Sequence, residues 1–357
     1  MSGDNMLKHI RLFFLVFVLL SQNGCVLFYG LQSGYGQMKL LSKRQPLEKV
    51  LADPNVSEKT KQKINLVVEA KTFGVDQLGL TPTKNFESYV DVGGPAVTYI
   101  VVAAKKCELK QHTFRYPILG DMPYKGYFDR KDADEEAAKF DRKEYDVLVR
   151  GVSAYSTLGW FQDPILSTMM NYDDYDLVDL IIHESTHSTI FIKSNADFNE
   201  QLATFIGQEG TKEFYFQKEG SKSKTVERML ADYEDQKLFA EFLKPQIQKL
   251  KEFYKTQGSC QDENRATAFS QIQLEFEKSV APKLKGQNYK NFAKREMNNA
   301  TLLYAKTYVG DLSLFADAYK SSKMNLKMFL GSLKKLEKEK DPIQSLKNLS
   351  QESGAAP

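Results

Sequence analysis

The sequence predicts an α+β fold, mostly helical, with a small mixed β-sheet next to one apolar helix that carries two histidines. Three observations carry this expectation. His183-Glu184-Ser185-Thr186-His187 is an H-E-x-x-H motif set in a helix-like apolar run. Residues 89–165 are rich in short strand-like runs bounded by turn signals. From Tyr29 to Gly79, and again from Thr211 to Glu339, apolar residues recur at helical spacing.

The chain has 357 residues, a formal net charge of +3 and a globular composition, enough for a substantial core. Its lysines fall in short clusters and form no dense basic block, so no nucleic-acid partner is expected. Lys8 and Arg11 precede an unbroken apolar run, Leu12 to Leu20. Nine residues are too few to span a bilayer comfortably, so residues 1–24 read as a signal peptide. Gly24 before Cys25 suits lipoprotein processing, although Gln22 stands where a small aliphatic residue is usual. Cys25 is then the lipidation site. The expected localisation is export, as a membrane-anchored lipoprotein on the periplasmic side of a bacterial envelope; an uncleaved anchor and ordinary secretion are the alternatives. Cys107 and Cys260 could pair in an exported protein, but their wide separation gives no support for it.

Residues 25–88 form an N-terminal helical segment. Leu40, Leu41, Leu47 and Leu51 precede the turn Asp53-Pro54-Asn55, and Ile64, Val67, Val68 and Phe73 follow it up to Gly74. A zincin-like domain is expected over 89–340, with a sheet in 89–165, metal-site helices in 166–215 and a helical part in 216–340. Strands are expected at Val97 to Ala103, Thr113 to Ile118, Lys125 to Phe128 and Asp146 to Val149, with a helix from Asp132 to Phe140. Val152 to Phe161 reads as an edge strand. An extended peptide could add to such an edge, which makes Tyr155, Ser156, Thr157 and Gly159 the candidate substrate-binding residues; the alternative is an ordinary strand with Trp160 and Phe161 in the core. Three long helical stretches follow, Val226 to Lys255, Ala266 to Val280 and Tyr304 to Leu336. The polar tail, 341–357, is expected to be disordered.

Chemistry concentrates in the motif. Positions i and i+4 of a helix share a face, so His183 and His187 can bind one metal ion while Glu184 handles the proton of an attacking water. The bland alternative is a polar patch on a surface helix. Ile181, Ile182, Ile190 and Phe191 argue instead for a buried one, and buried histidines need partners. A catalytic zinc site takes a third protein ligand. Lys193 occupies the position where a metzincin has its third histidine, and the H-x-x-E-H order is absent. Ser194-Asn195-Ala196-Asp197 reads as a capping box that opens a second helix, with Phe198, Leu202, Phe205 and Ile206 on one stripe. Glu200 on that helix is the expected third ligand, with Asp197 and Glu209 as alternatives, and Ala203 one turn later lets the two helices pack closely. Asn199 is a candidate for orienting Glu200 or for holding a substrate terminus. Zn²⁺ is the expected cofactor.

His183-Glu-x-x-His187 followed by Asn199-Glu200 resembles the gluzincin arrangement. More specifically, the chain resembles the bacterial putative aminopeptidase family, a group of predicted lipoprotein zinc peptidases. The resembling blocks are Gly24-Cys25 with Tyr29-Gly30 and Gln32-Ser33, Tyr124 to Phe128, Gly151 to Phe161 with Asp163 to Thr168, Phe198 to Gly207 with Gly210, and Asn298-Asn299-Ala300 with Tyr308. They extend from about residue 24 to about residue 320. The resemblance implies a zinc peptidase acting on a peptide or protein substrate. Aminopeptidase activity follows from the family name alone; no Gly-x-Met-x-Asn segment is present, and an endopeptidase fits the residues equally. Tyr308, which follows the Asn298-Asn299 block, and Tyr155 are the candidates for stabilising the oxyanion. The rival reading is a non-catalytic envelope lipoprotein whose metal site is structural or vestigial. Serine-hydrolase chemistry fails, because Gly151-Val152-Ser153-Ala154-Tyr155 lacks the second glycine of a nucleophile elbow.

Overall fold

Thr98 to Lys105 is a run of β-branched, aromatic and small residues, and it forms the best-paired strand of the fold. The computed structural model describes residues 24–116, 120–155, 157, 161–310, 312–321, 325–339 and 341–351. The chain divides into two units, 1–44 and 45–357. The first contains helix α1 (Gly24–Leu41). Residues 1–23 of the predicted signal segment lie outside the described residues, and no helix among those described is long and apolar enough to cross a membrane.

The second unit opens with β1 (Gln45–Pro46), α2 (Leu47–Ala52) and α3 (Glu58–Phe73). Strands β2 (Ser88–Val90), β3 (Thr98–Lys105), β4 (Phe114–Tyr116), β5 (Gly120–Met122) and β6 (Lys125–Tyr127) follow, then α4 (Arg130–Ala138), β7 (Tyr145–Val152) and β8 (Ile165–Leu166). The sequence suggested one small mixed sheet; the described strands form three. The largest is antiparallel, in the order β6-β3-β7, with β3 and β7 in register from Thr98 opposite Val152 to Lys105 opposite Tyr145. The second, β1-β2-β8, is mixed, and β4 with β5 makes a hairpin.

The rest is helical: α5 (Asp174–His187), α6 (Ala196–Glu219), α7 (Lys224–Phe253), α8 (Asp262–Ser279), α9 (Asn299–Tyr308), α10 (Ser313–Ser321), α11 (Leu326–Leu333) and α12 (Pro342–Gln351). Strand β3 is buried on both faces because α4 and α9 both pack against it. Ile100, Val102 and Ala104 meet Ala300 and Leu303 of α9. A second core, rich in phenylalanine, holds α7 to α8 through Phe239, Phe242, Phe269 and Phe276.

One buried polar corner ties these layers together. Asn298 caps α9 in a reciprocal capping box with Thr301. Asn299 donates its backbone N–H to Asp146 (2.9 Å) and its amide to the Lys105 carbonyl (2.8 Å), and it accepts from the Tyr254 hydroxyl (2.9 Å). Arg265 of α8 pairs with the same Asp146, so this buried carboxylate is neutralised and hydrogen-bonded at once. At this corner Cys107 and Cys260 form a disulfide, with Cα atoms 5.0 Å apart. Sequence separation was no guide to that pairing, because the Asp146–Arg265 and Lys106–Asp262 ion pairs bring the end of β3 to the start of α8.

Three expectations are corrected. Strand β7 ends at Val152, and Tyr155 and Thr157 lie outside any strand; Ser156 and 158–160 lie outside the described residues. The edges of the main sheet are therefore β6 and β7. The stretch from Tyr304 to Leu336 is not one helix but the end of α9, then α10, α11 and a 3₁₀ turn, Lys334–Lys338. The tail is not disordered from 341. Asp341 accepts from the Gln344 N–H (2.9 Å), Pro342 takes the first helical position, and α12 buries Leu346 completely.

Candidate metal centre

Helix α5 forms because apolar residues at helical spacing face the core: Leu177, Val178, Ile181 and Ile182 are fully buried. Asp174 and Asp176 in its first turn favour the positive end of the helix. The Lys63 ammonium of α3 fastens that end by reaching the Tyr172 carbonyl (2.5 Å) and the Asp174 carboxylate (2.8 Å). At the other end, the Ser185, Thr186 and Thr189 hydroxyls bond back to carbonyls one turn earlier. Ser185 and Thr186 are thus occupied inside the helix, away from any chemistry.

Helix α6 returns alongside α5 after an eight-residue loop. Its start is Asn195 without a side-chain cap, not a Ser194 capping box. Ser194 instead adopts the left-handed conformation (φ 57°) and accepts from the Asp121 N–H. The predicted stripe is buried: Phe198, Leu202, Phe205 and Ile206, with Phe198 and Phe205 against Phe315 of α10. Close approach to α5 is set by Gly207 and Gly210, as well as by Ala203. A Cβ on Gly207 would lie 2.2 Å from Asp179 Oδ1, and one on Gly210 would lie 2.6 Å from Leu78 Cδ1 and 3.2 Å from Ile182.

This packing brings His183, His187 and Glu200 together. Their Nε2 atoms are 3.2 Å apart; His183 Nε2 lies 3.4 Å from Glu200 Oε2, and His187 Nε2 lies 3.7 Å from Glu200 Oε1. One ligand atom from each falls within 4.8 Å of the others, and among the described residues this is the group of three able to hold a metal ion. Ligands at about 2.0–2.1 Å from a tetrahedral ion lie about 3.4 Å from one another. The spacing, and a donor set of two imidazoles and one carboxylate, fit a divalent cation. The alternative ligands are engaged elsewhere: Asp197 pairs with Lys306 and accepts from Thr307, and Glu209 pairs with Lys212.

The electrostatics agree. Burial works against an imidazolium at His183, but its hydrogen bond to Glu200 and the charges of Glu184, Glu200 and Asp179 outweigh it and hold the ring's pKa at about 9. Burial takes His187 down to about 4, despite the favourable charge of Glu200. Burial alone would raise Glu200, yet the charge of His187 and the hydrogen bond from His183 keep it below the usual carboxylate range. Glu184 is pushed up to about 7 by burial and by the like charges of Glu200 and Asp163, with His183 opposing. The metal-free site therefore holds a protonated His183 against an anionic Glu200.

The surrounding residues sort less simply. Asn199 is buried, and both ends of its amide are taken by Ile192: the Ile192 N–H donates to Oδ1 (2.9 Å) and Nδ2 donates to the Ile192 carbonyl (2.8 Å). It fastens the inter-helix loop one residue before Glu200. Thr157 is likewise engaged, its N–H and hydroxyl both on the buried Asp163 carboxylate (2.9 and 2.7 Å), which removes its N–H from any strand-like pairing with a peptide. Tyr155 is half-buried, edge-on to Phe128 at 5.9 Å. Tyr308 is the last residue of α9, and its side chain lies outside the described residues, as do Ser156, Gly159 and the side chain of Cys25. Three neighbours escaped the sequence reading. Asp163 acts electrostatically on Glu184. Tyr172, just before α5, bonds Ser153 and feels the Glu184 charge. Asp179, one turn before His183, accepts from the Tyr233 hydroxyl (2.8 Å). The i−4 spacing of Asp179 from His183 was a signal that could have been read.

Comparison with curated proteins found no match, and comparison with solved structures found none either. A family model described as putative aminopeptidase matches residues 28–347, almost the whole described chain and the entire His183, His187 and Glu200 site. On that match the chain belongs to the putative aminopeptidase family.

Proposed function

We propose that this protein is a zinc-dependent, zincin-like peptidase that hydrolyses peptide bonds and is held in the bacterial envelope by an N-terminal lipid anchor at Cys25. The observation that carries the catalytic part is the convergence of His183, His187 and Glu200 at ligand spacing beside a carboxylate whose pKa lies near neutrality. When bound, the ion would supply Lewis acidity to the scissile carbonyl and lower the pKa of water to about 7. Glu184 does the proton work: its carboxylate takes a proton from the attacking water and passes it to the leaving amine. Asp179 and Tyr233 hold the His183 end of the helix, and the loop pinned by Asn199 holds Glu200. Tyr155 and Tyr308 are proposed to stabilise the oxyanion. The family name favours an aminopeptidase. Export is supported by the apolar run before Cys25 and by the Cys107–Cys260 disulfide, a bond that persists in oxidising compartments.

The test is peptide-library cleavage by the full chain loaded with Zn²⁺, compared with Glu184→Gln. Wild type is expected to cleave, and the variant is expected to keep its metal while losing about 10²- to 10⁴-fold in rate. Equal turnover by the two, or no cleavage by the zinc-loaded wild type, would falsify the assignment and favour a structural metal site. Blocked N-termini in the library separate exopeptidase from endopeptidase cleavage.

A further inference from the structure

Helix α1 (Gly24–Leu41) presents an apolar face to solvent. Leu31, Tyr35 and Met38 are 67%, 71% and 58% exposed. Their i, i+4, i+7 spacing puts them on one stripe. Gln37 and Leu40, away from that stripe on the same helix, are buried, as is Leu41 at its end. Solvent-facing large apolar residues usually occur singly; three in register on one helix call for an occupant.

Three features of the chain point to a lipid surface as that occupant. The unbroken apolar run Leu12 to Leu20 ends five residues before Cys25, which itself lies in the first turn of α1. At about 1.5 Å per residue, Leu31 lies about 9 Å along the helix from Cys25, within the thickness of a headgroup layer from any attachment there. Lys39 is exposed on one flank of the stripe and Lys43 is exposed just past the end of the helix, and their stems can follow the apolar face while their ammonium groups reach phosphates. Tyr35, with an apolar ring and a polar tip, suits the boundary between acyl chains and water. Three side chains also cover far less than the roughly 800 Å² per partner of a stable protein interface. Beside an existing attachment, however, a small apolar face is a useful second anchor, because a single lipid chain binds membranes marginally and reversibly.

We propose that the face of α1 formed by Leu31, Tyr35 and Met38 lies in the interfacial layer of a phospholipid membrane, so that the helix runs along the bilayer surface instead of standing off it. The lysine flank faces the phosphates. The placement rests on the membrane attachment put forward above, but not on the peptidase chemistry.

The test uses the full chain reconstituted into phosphatidylethanolamine–phosphatidylglycerol vesicles that carry brominated acyl chains. A second tryptophan is introduced by Leu31→Trp, Tyr35→Trp or Met38→Trp, and, off the stripe, by Ser33→Trp or Gly36→Trp. The parent chain, with Trp160 alone, supplies the baseline. Flotation reports attachment, and quenching by bromine against aqueous acrylamide reports the helix face. Bromine is expected to quench the three stripe positions at least threefold more strongly than the two controls, and acrylamide the reverse. A chain that floats but whose stripe positions are quenched by acrylamide as readily as the controls overturns the docking while leaving attachment intact. Stripe positions shielded from both quenchers overturn it in favour of a protein partner or a second copy. A chain that fails to float overturns docking and attachment together, and none of these outcomes touches the Glu184 assignment.

Discussion

Asn199 and Ile192 are joined by two hydrogen bonds, one in each direction, at 2.9 and 2.8 Å. The pair closes the loop between the motif helix and α6, and it sits one residue before Glu200, the candidate third ligand. Asn199→Ala leaves a backbone donor and a backbone acceptor of Ile192 without partners in a buried place. Each orphaned group costs about 1–3 kcal/mol, and water entry into so short a loop favours the low end, so the expected loss is about 2–3 kcal/mol in urea unfolding. The same change loosens the turn that carries Glu200, and Zn²⁺ affinity is expected to fall about tenfold in a competition titration. Lost stability with unchanged affinity would show that the loop does not position the ligand.

Metal uptake at neutral pH is expected to release at least one proton, that of His183. His187, down at about 4, and Glu200, below its usual range, are already in their ligand forms there. His183, held at about 9, is still protonated. The logarithm of the affinity should therefore rise by about one per pH unit up to pH 9 and then level off. Calorimetry at pH 7 in buffers of different ionisation enthalpy counts the proton directly. The metal-free fold should show the opposite trend. A raised folded-state pKa stabilises it fully below 6.5, and that contribution is lost as pH climbs through 9. Metal-free melting temperatures that rise between pH 6.5 and 9 would contradict the assignment.

Much of this site was readable from local pattern. The H-E-x-x-H spacing, the apolar flanks and the stripe from Phe198 to Ile206 each depend on residues within a few turns, and helical periodicity carries that information. Glu200 could be read because it lies on the helix next in sequence. What escaped depends on long-range placement. The Cys107–Cys260 bond follows from a buried Asp146–Arg265 pair more than a hundred residues apart. Thr157 looked like part of an edge strand because it sits among small and aromatic residues, yet the buried Asp163 carboxylate claims its N–H and hydroxyl. The α12 helix was hidden by a polar composition that masked an Asp-Pro start and one buried leucine.

The disulfide should matter to stability and not to the metal. It links segments 153 residues apart in sequence, at the polar corner where β3, β7, α8 and α9 meet. Opening such a loop typically costs about 2–4 kcal/mol. Cys260→Ser is expected to lower unfolding free energy by about that amount and to match the wild type treated with reductant, with Zn²⁺ affinity within a factor of two of wild type. A large loss of affinity would mean that the corner communicates with the site through α9, whose Lys306 and Thr307 hold Asp197.

Gly207 and Gly210 make opposite predictions from the same substitution. Alanine gains about 1 kcal/mol of helix propensity over glycine at either position. At Gly210 the new Cβ meets Leu78 Cδ1 at 2.6 Å and Ile182 at 3.2 Å, and the flexible end of Leu78 turns aside to admit it. Gly210→Ala should be close to neutral. At Gly207 the new Cβ meets Asp179 Oδ1 at 2.2 Å and the Asp179 backbone carbonyl at 3.2 Å. That carboxylate cannot simply turn away, because the Tyr233 hydroxyl bonds its other oxygen and burial already pushes its pKa up to about 6. Overpacking of this kind costs about 1–3 kcal/mol, so Gly207→Ala should be destabilising on balance by about 1–2 kcal/mol. It should also weaken Zn²⁺ binding, since relief comes from moving α6 away from α5 and taking Glu200 from His183. Denaturant unfolding and metal titration of the two alanine variants, side by side, decide the matter: equal behaviour of both would mean that the spacing of the two helices is not what holds the three ligands together.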